Sequence, residues 1–469
     1  MPRQSSRRDF LKKTALAGAG AVAGAVVVNA ASPALLPEKI EFDVNRSHWA
    51  KSQAPANPAL ETDVEADVVV VGGGFTGLSA AYYIRQAQPS KRVVVLEARF
   101  CGSGASGRNG ALVLTMTADR FMRMSADPAM DKRIYDLTAE NVRQLRALSV
   151  TAGIDCELEV NGALQVFNNK ENLEAGQSYV AKARSLDMPV ELWSKQQVAA
   201  ALGTQVFEGG FFDPNCGQVH PMKLVQVFKA AAQSAGAEIY ENTPVAAIEE
   251  GDTVRVHTAG GRTVKARSLV LAANAYSSRL GYFRNGVVPV FNYIGITPPL
   301  SDSQLARTGW KDRIPFSDSR QIVTYLGLTR DHRIHIGGGT AHYTFNDGIS
   351  DRPDAPQAYE KLRTELWRIF PGLRGVTFET TWSGLVDCSL DFSSSVGRLR
   401  NNVYYGIGYC GHGVNLTSVF GRIIADFENG QEGKWKDLPF VNHGLPYIPN
   451  EPFRWIGAQS AMAAYRMGS

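Results

Sequence analysis

Two rhythms of apolar positions run through this chain, and they occupy different stretches of it. The first is unbroken: Ala66-Asp67-Val68-Val69-Val70-Val71, Arg92-Val93-Val94-Val95-Leu96 and Ser268-Leu269-Val270-Leu271-Ala272-Ala273 are short, almost wholly apolar runs. Such runs suit parallel strands covered on both faces, since a strand with no solvent side has no need of polar alternation. Leu78 to Ile84 follows the first run as a helix, an Ala-rich helix ends at Gly236-Ala237, and Val403-Tyr404-Tyr405-Gly406-Ile407 leads through glycines into a helix that includes Gly421 and Ile424. The second rhythm alternates. Arg320 to Tyr325 and Arg333 to Gly339 keep the period of two that antiparallel strands require. They fall in a segment of roughly 284–381 which, with 155–212, interrupts the parallel-type pattern.

Chemistry enters where the first run ends. Gly72-Gly73-Gly74-Phe75-Thr76-Gly77 places G-x-G-x-x-G between a strand and a helix. Gly72 permits the tight turn, Gly74 lets main chain approach a pyrophosphate, and Gly77 allows close helix–strand packing. The helix N-terminus then faces the phosphates. The second strand ends at Glu97, twenty residues past Gly77, where a carboxylate can accept both ribose hydroxyls. This order predicts a dinucleotide site but does not choose the dinucleotide. The choice comes from the segment just past Glu97, Ala98-Arg99-Phe100-Cys101-Gly102-Ser103-Gly104-Ala105-Ser106-Gly107-Arg108-Asn109-Gly110, a Gly/Ser loop rich in amides and hydroxyls where an NAD domain usually begins another helix.

That loop resembles the glycine oxidase/D-amino-acid oxidase superfamily of FAD enzymes, and Gly104 to Gly110 is similar to its gamma-glutamylputrescine oxidase branch. The resemblance extends over nearly the whole chain after the leader. Val219-His220-Pro221 to Val245 looks like the family's return to its cofactor domain, with Val245 at the adenine. The strand ending at Ala273 looks like the one passing the phosphates, and Gly408-Tyr409-Cys410-Gly411-His412-Gly413-Val414 like the turn at the flavin pyrimidine. The fold implied is α/β, α+β overall: a Rossmann-like FAD-binding domain in three parts (63–154, 213–283, 382–432) interleaved with an antiparallel-sheet substrate domain in two (155–212, 284–381). A linker at 35–62 and a tail at 433–469 complete it. The cofactor set is Gly72, Gly74, Phe75, Thr76, Gly77, Glu97, Ala98, Arg99, Gly104, Ala105, Ser106, Asn109, Gly110, Val245, Ala273, Gly408, Gly411, His412, Gly413 and Val414.

Charge changes the picture only at the N-terminus. The formal net charge is +4, and Arg3, Arg7, Arg8, Lys12 and Lys13 less Asp9 account for it. Beyond them no basic footprint for nucleic acid remains. Ser6-Arg7-Arg8-Asp9-Phe10-Leu11-Lys12 resembles the twin-arginine export signal, and the Ala/Gly/Val stretch from Ala15 to Val28 is short of the ~20 apolar residues of a membrane span. A leader at 1–34, cleaved after Ala30 or Ala34, implies export machinery that carries folded proteins and a periplasmic or secreted enzyme. The five cysteines Cys101, Cys156, Cys216, Cys388 and Cys410 show neither a metal spacing nor a disulfide framework.

The resemblance implies oxidation of a C–N bond in a primary or secondary amine, a polyamine derivative or an amino acid, with hydride passing to flavin N5. The cofactor does that chemistry while protein groups position and polarise. Arg108 and Asn109 are the leading candidates for catalytic work, with His412 and Tyr325 beside them and His335 and His342 as weaker ones. Three departures from the family matter. Asn415 stands where sarcosine oxidase-like members carry a carboxylate-binding lysine, which disfavours a compact α-amino acid. No lysine occurs between Arg330 and Phe345, where those members keep an oxygen-activating one, so a quinone becomes an acceptor alongside oxygen. Covalent attachment in that branch uses a cysteine upstream of this turn; Cys388 lies close but off-register and Cys410 falls inside the turn itself, so FAD is expected to dissociate. A second reading is a flavoprotein that oxidatively matures a partner protein, with the tail near Pro452–Gly457 docking it or a membrane.

Overall fold

The computed structural model describes residues 47–467 apart from 122, 350–354 and 401. The expected leader at 1–34, and residues 35–46 of the expected linker, lie outside the described residues.

The chain visits one sheet three times and a second sheet twice. It begins with β1 (Val64–Val71), α1 (Phe75–Ala87), β2 (Val93–Leu96) and the long helix α2 (Pro128–Thr151). It crosses over for β3 (Ala163–Phe167), β4 (Glu191–Ser194) and β5 (Gly209–Asp213), then returns through α3 (Pro221–Ser234), β6 (Glu238–Tyr240), β7 (Val245–Glu249), β8 (Val254–Thr258) and β9 (Thr263–Leu271). The second excursion is β10 (Val288–Ile296), β11 (Phe316–Asp318), β12 (Thr324–Leu328), β13 (Ile334–His342) and β14 (Thr380–Cys388). The last return supplies β15 (Ser395–Arg400), β16 (Val403–Ile407) and α4 (Gly413–Glu428), and α5 (Phe453–Met467) comes after it.

The first sheet runs β15-β16-β9-β1-β2-β6, with the β7–β8 hairpin paired to the first half of β9. β1 lies parallel to both β9 and β2, with Val69 opposite Leu269 and Val94. Val68 to Val71 and Val93 to Leu96 are buried throughout, as continuous apolar runs predict. On this sheet α1 and α4 cross at a glycine: a Cβ on Gly421 would stand 2.2 Å from Ser79 Oγ and 2.8 Å from the Ala80 amide. That approach lets Ser79 donate to the Thr417 carbonyl at 3.2 Å, and residues at the N-termini of both helices line the same cavity.

The second sheet runs β14-β10-β13-β12-β11-β3-β5-β4 and is antiparallel except at the β11–β3 seam. Its alternation sorts residues between two sides. Leu326 and Ile336 join a core that includes Leu362 and Leu366 of the helix Pro356–Ile369, while Tyr325 lines the cavity. The boundaries expected at 212/213 and 381/382 fall inside β5 and β14. Asp213, closing β5, accepts from Thr115 Oγ1 at 2.6 Å and Tyr135 OH at 2.8 Å.

Two stretches outside the sheets are packed. Within the expected linker, Trp49 is buried edge-on against His220, His335 and Trp382, and the Leu60 amide donates to Thr243 Oγ1 at 3.0 Å. In the expected tail, Arg454 of α5 makes a buried two-pronged ion pair with Asp347 at 2.6 and 2.8 Å. Met462 packs with Val288, Tyr343 and Ile448.

Candidate active site

The first glycine turn is fixed by its surroundings. Gly72 has φ 112°, and a Cβ there would lie 2.5 Å from the Ala272 carbonyl oxygen at the end of β9. Gly77 closes the turn from inside α1, where a Cβ would come within 2.0 Å of the Gly72 carbonyl oxygen. Gly74 caps α1 without a side-chain hydrogen bond. Of the amides so exposed, Phe75 N–H donates to Ser106 Oγ at 2.9 Å. Uncapped amides and the positive end of the helix dipole make this an anion site. Glu97, just past β2, accepts from Gly73 N–H at 2.7 Å, Arg99 N–H at 3.0 Å and Ser103 Oγ at 3.0 Å. Burial pushes its carboxyl above the usual range, against the pull of those three bonds.

The loop after Glu97 is clamped by two indoles. Trp49 Nε1 donates to the Asn109 carbonyl and Trp382 Nε1 to the Arg108 carbonyl, each at 3.0 Å, while Ser47 Oγ donates to the Gly107 carbonyl at 2.6 Å. Arg108 is buried, and its guanidinium donates to the carbonyls of Ser103 at 2.8 Å and Ser383 at 3.1 Å. Asn109 donates to the Ser106 carbonyl at 2.8 Å and accepts from Ala111 N–H at 2.9 Å. These bonds engage both side chains in holding the loop. Tyr325 lies across it: a Cβ on Gly110 would meet its ring at 2.1 Å, and one on Gly337 at 2.4 Å. Burial pushes the Tyr325 phenol up.

The third turn hangs from β14. The Asp387 carboxylate accepts from Gly408 N–H at 2.6 Å and Tyr409 N–H at 3.2 Å, and the Asp387 carbonyl accepts from Cys410 N–H at 3.2 Å. Burial raises the Asp387 carboxyl to about 7, against the lowering effect of those amides. His412 occupies the N-cap of α4 and meets the Phe121 ring at 5.1 Å. Asn415 is spent on structure: it donates to the Leu114 and Thr138 carbonyls, each at 2.9 Å, and Asn141 donates to its side-chain oxygen at 2.7 Å.

All three turns border one cavity of about 1300 Å³. Gly72, Gly74, Phe75, Thr76, Glu97, Ala98, Gly104, Ala105, Ser106, Arg108, Asn109, Gly110, Val245, Ala273, Tyr325, Gly411, His412, Gly413 and Val414 line it. Gly77, Arg99 and Gly408 stand behind that lining, where the two glycines shape turns and the Arg99 amide orients Glu97. His335 is buried against Trp49, and neither it nor the exposed His342 reaches the cavity.

Residues 67–427 match the family described as FAD dependent oxidoreductase (DAO). This chain belongs to the DAO family. Gamma-glutamylputrescine oxidoreductase of Escherichia coli (strain K12) is 29% identical over 439 residues, covering 90% of this chain and 98% of that protein. Among solved structures, glycine oxidase from Geobacillus kaustophilus superposes with a TM-score of 0.69 at 21% identity, covering 81% of this chain and 100% of that one. L-proline dehydrogenase from P. horikoshii gives 0.67 at 20% identity, covering 80% and 96%. The two structures share the fold.

DAO membership makes the protein an FAD-dependent oxidoreductase, and the cavity accommodates that cofactor's chemistry. The Gly74 approach and α1 amides suit the pyrophosphate, Glu97 the ribose, and the α4 N-terminus an electron-rich ring edge. Asn274 Oδ1 and Thr417 Oγ1 are buried without a partner among the described residues, and both residues line the cavity, as a polar ligand requires. Sequence reasoning missed several members of this DAO site. Thr76 was expected, but not its 2.7 Å hydrogen bond to Tyr409 OH. Asp387 gave no signal, because an Asp within an apolar strand has no motif of its own. Phe121, Gln321 and the α5 residues also line the cavity, and only the fold brings them there.

Proposed function

We propose that this enzyme oxidises the C–N bond of a primary or secondary amine with an apolar body, giving an imine that hydrolyses to an aldehyde and an amine or ammonia. The carrying observation is that three glycine turns, the third about three hundred residues after the other two, meet at one cavity whose lining also carries apolar residues, Phe121, Ile322, Val323, Met462 and Tyr465 among them. Bound FAD supplies the two-electron acceptor. The chain's own part is to bind and orient the amine and to keep it neutral. Apolar walls disfavour an ammonium, and so do the cations of Arg108 and Arg279 on the lining.

The carboxylates on the described lining are Glu97 and Asp387, both already held by main-chain amides. An unmodified polyamine, bringing a second positive charge, therefore finds arginines rather than an acid to receive it. The engaged Asn415 likewise argues against a compact amino acid whose carboxylate needs a cation there. A relative named for gamma-glutamylputrescine supports amine chemistry, and the absence of lysine between Arg330 and Phe345 favours a quinone over oxygen as acceptor. A polypeptide substrate is less well served, since α5 packs across the cavity's edge.

The test is an anaerobic screen of amines against the purified protein, following loss of flavin absorbance, then addition of air or a soluble quinone. Bleaching by aralkyl or alkyl amines ahead of putrescine is the expected result; reduction only in the presence of a partner protein would reject the proposal. We further propose export to the periplasm by the twin-arginine route, on the strength of Ser6 to Lys12. Replacing Arg7 and Arg8 together by lysine should retain the protein in the cytoplasm, as read by fractionation.

A further inference from the structure

Among the five cysteines, two stand apart from the rest. Cys101, Cys156 and Cys216 are buried, whereas Cys388 and Cys410 are each partly accessible and both line the cavity. Cys388 is the last residue of β14, and Cys410 sits in the turn before α4. The Cys410 amide donates to the Asp387 carbonyl at 3.2 Å, which sets the two stretches side by side as in a ladder. Cys388 stands between two residues that both touch Cys410: the Asp387 carbonyl takes its amide, and Ser389 Oγ lies 3.7 Å from its Sγ. Strand neighbours stand ~4.5–5.5 Å apart at Cα, inside the ~4.4–6.8 Å that a disulfide needs.

We propose that Cys388 and Cys410 form a reversible disulfide that locks the third glycine turn onto β14, a redox modification site on the rim of the cofactor cavity. The oxidant is a low-molecular-weight disulfide. One cysteine thiolate attacks its S–S bond, giving a mixed disulfide and one released thiol; the other cysteine then attacks the protein-bound sulfur and expels the second thiol. Two protein thiols are thereby oxidised by two electrons and one small disulfide is reduced to two thiols. The neighbouring Cys388 and burial push the Cys410 thiol well up.

The consequence is mechanical. Gly408, Tyr409 and Cys410 are tied to β14 by hydrogen bonds alone, and the same turn delivers the α4 N-terminus to the cavity. A covalent link there restrains the opening through which FAD leaves, slowing its release by about tenfold. This rests on family membership and FAD binding, and is independent of the amine reading.

The experiment takes the FAD-loaded protein, incubates it with glutathione disulfide, blocks remaining thiols with N-ethylmaleimide and maps peptides by mass. The expected product joins Cys388 to Cys410, lighter by two hydrogens and reversed by dithiothreitol, with Cys101, Cys156 and Cys216 left as thiols. FAD release after dilution, followed by flavin fluorescence, should slow on oxidation of the wild type and not of Cys388→Ser or Cys410→Ser. Separate glutathione adducts on the two cysteines, a flavin bonded to either, or a cross-link without change in release rate would each overturn the proposal.

Discussion

The two ends of the cavity are built on different principles. The nucleotide end comes mainly from residues 72–110, with Val245 and Ala273 beside them, and presents main-chain amides held by glycines and by Glu97. The mouth comes from scattered side chains: Phe121 before α2, Tyr325 on β12, Asp387 on β14 and the wall of α5. A site made of main chain tolerates little change at its glycines, because a Cβ on Gly72, Gly77 or Gly107 meets backbone and one on Gly74 meets Ser106. A site made of side chains can change its lining while the scaffold stays, and so it is the natural place for substrate choice.

The largest expected effect breaks the comparison at its rigid end. Gly74→Val adds bulk at an N-cap whose Cβ already stands 2.8 Å from Ser106 Oγ. FAD affinity should fall by about 100-fold or more, from a clash of about 3 kcal/mol. Flavin content of the purified variant checks this, and full retention would remove the cofactor from the place assigned to it.

Next comes the opposite end. Arg454→Ala strands the Asp347 carboxylate in a buried setting, a loss of about 3 kcal/mol. The helix α5 should loosen, so that limited proteolysis removes the C-terminus faster and KM for the amine rises. FAD content should stay as in the wild type. Loss of FAD with an unchanged KM would show that α5 serves the cofactor end instead.

The smallest effect concerns pH and sharpens the contrast within the scaffold. Burial lowers His48 to about 4, His220 to about 4 and His335 to about 3 in the packing behind the clamped loop. Depressed folded values mean that their contribution is complete above the unfolded value of about 6.5 and is lost as pH falls through 4 to 3. Asp387 runs the other way. Raised to about 7, it contributes fully below about 3.8 and loses that contribution as pH rises through 7. Urea midpoints against pH should therefore show His335→Gln flattening the acid side and Asp387→Asn the alkaline side.

Much of the fold was legible because its signals are local. Val68–Val71, the three turn glycines and Glu97 are read within forty residues, and a buried parallel strand writes its burial directly into its composition. The alternation around Tyr325 was equally plain. Less legible was the work of Arg108 and Asn109: their position in the loop was visible, but their engagement with main-chain carbonyls depends on Ser383 and on the loop's own curvature. Trp49 read as part of a linker because nothing near it in sequence announces His220, His335 or Trp382.

By itself, then, the amino-acid order determined the cofactor domain, its dinucleotide turn and the interleaving of two kinds of sheet, since those follow from apolar periodicity and from glycine's lack of a Cβ. Tertiary structure alone decided that Asp387 would carry the third turn, that Cys388 would lie beside Cys410, and that α5 would wall the mouth. Contacts between segments hundreds of residues apart arise only when the chain's separate visits to the two sheets are brought together, and no local pattern of residues encodes that meeting.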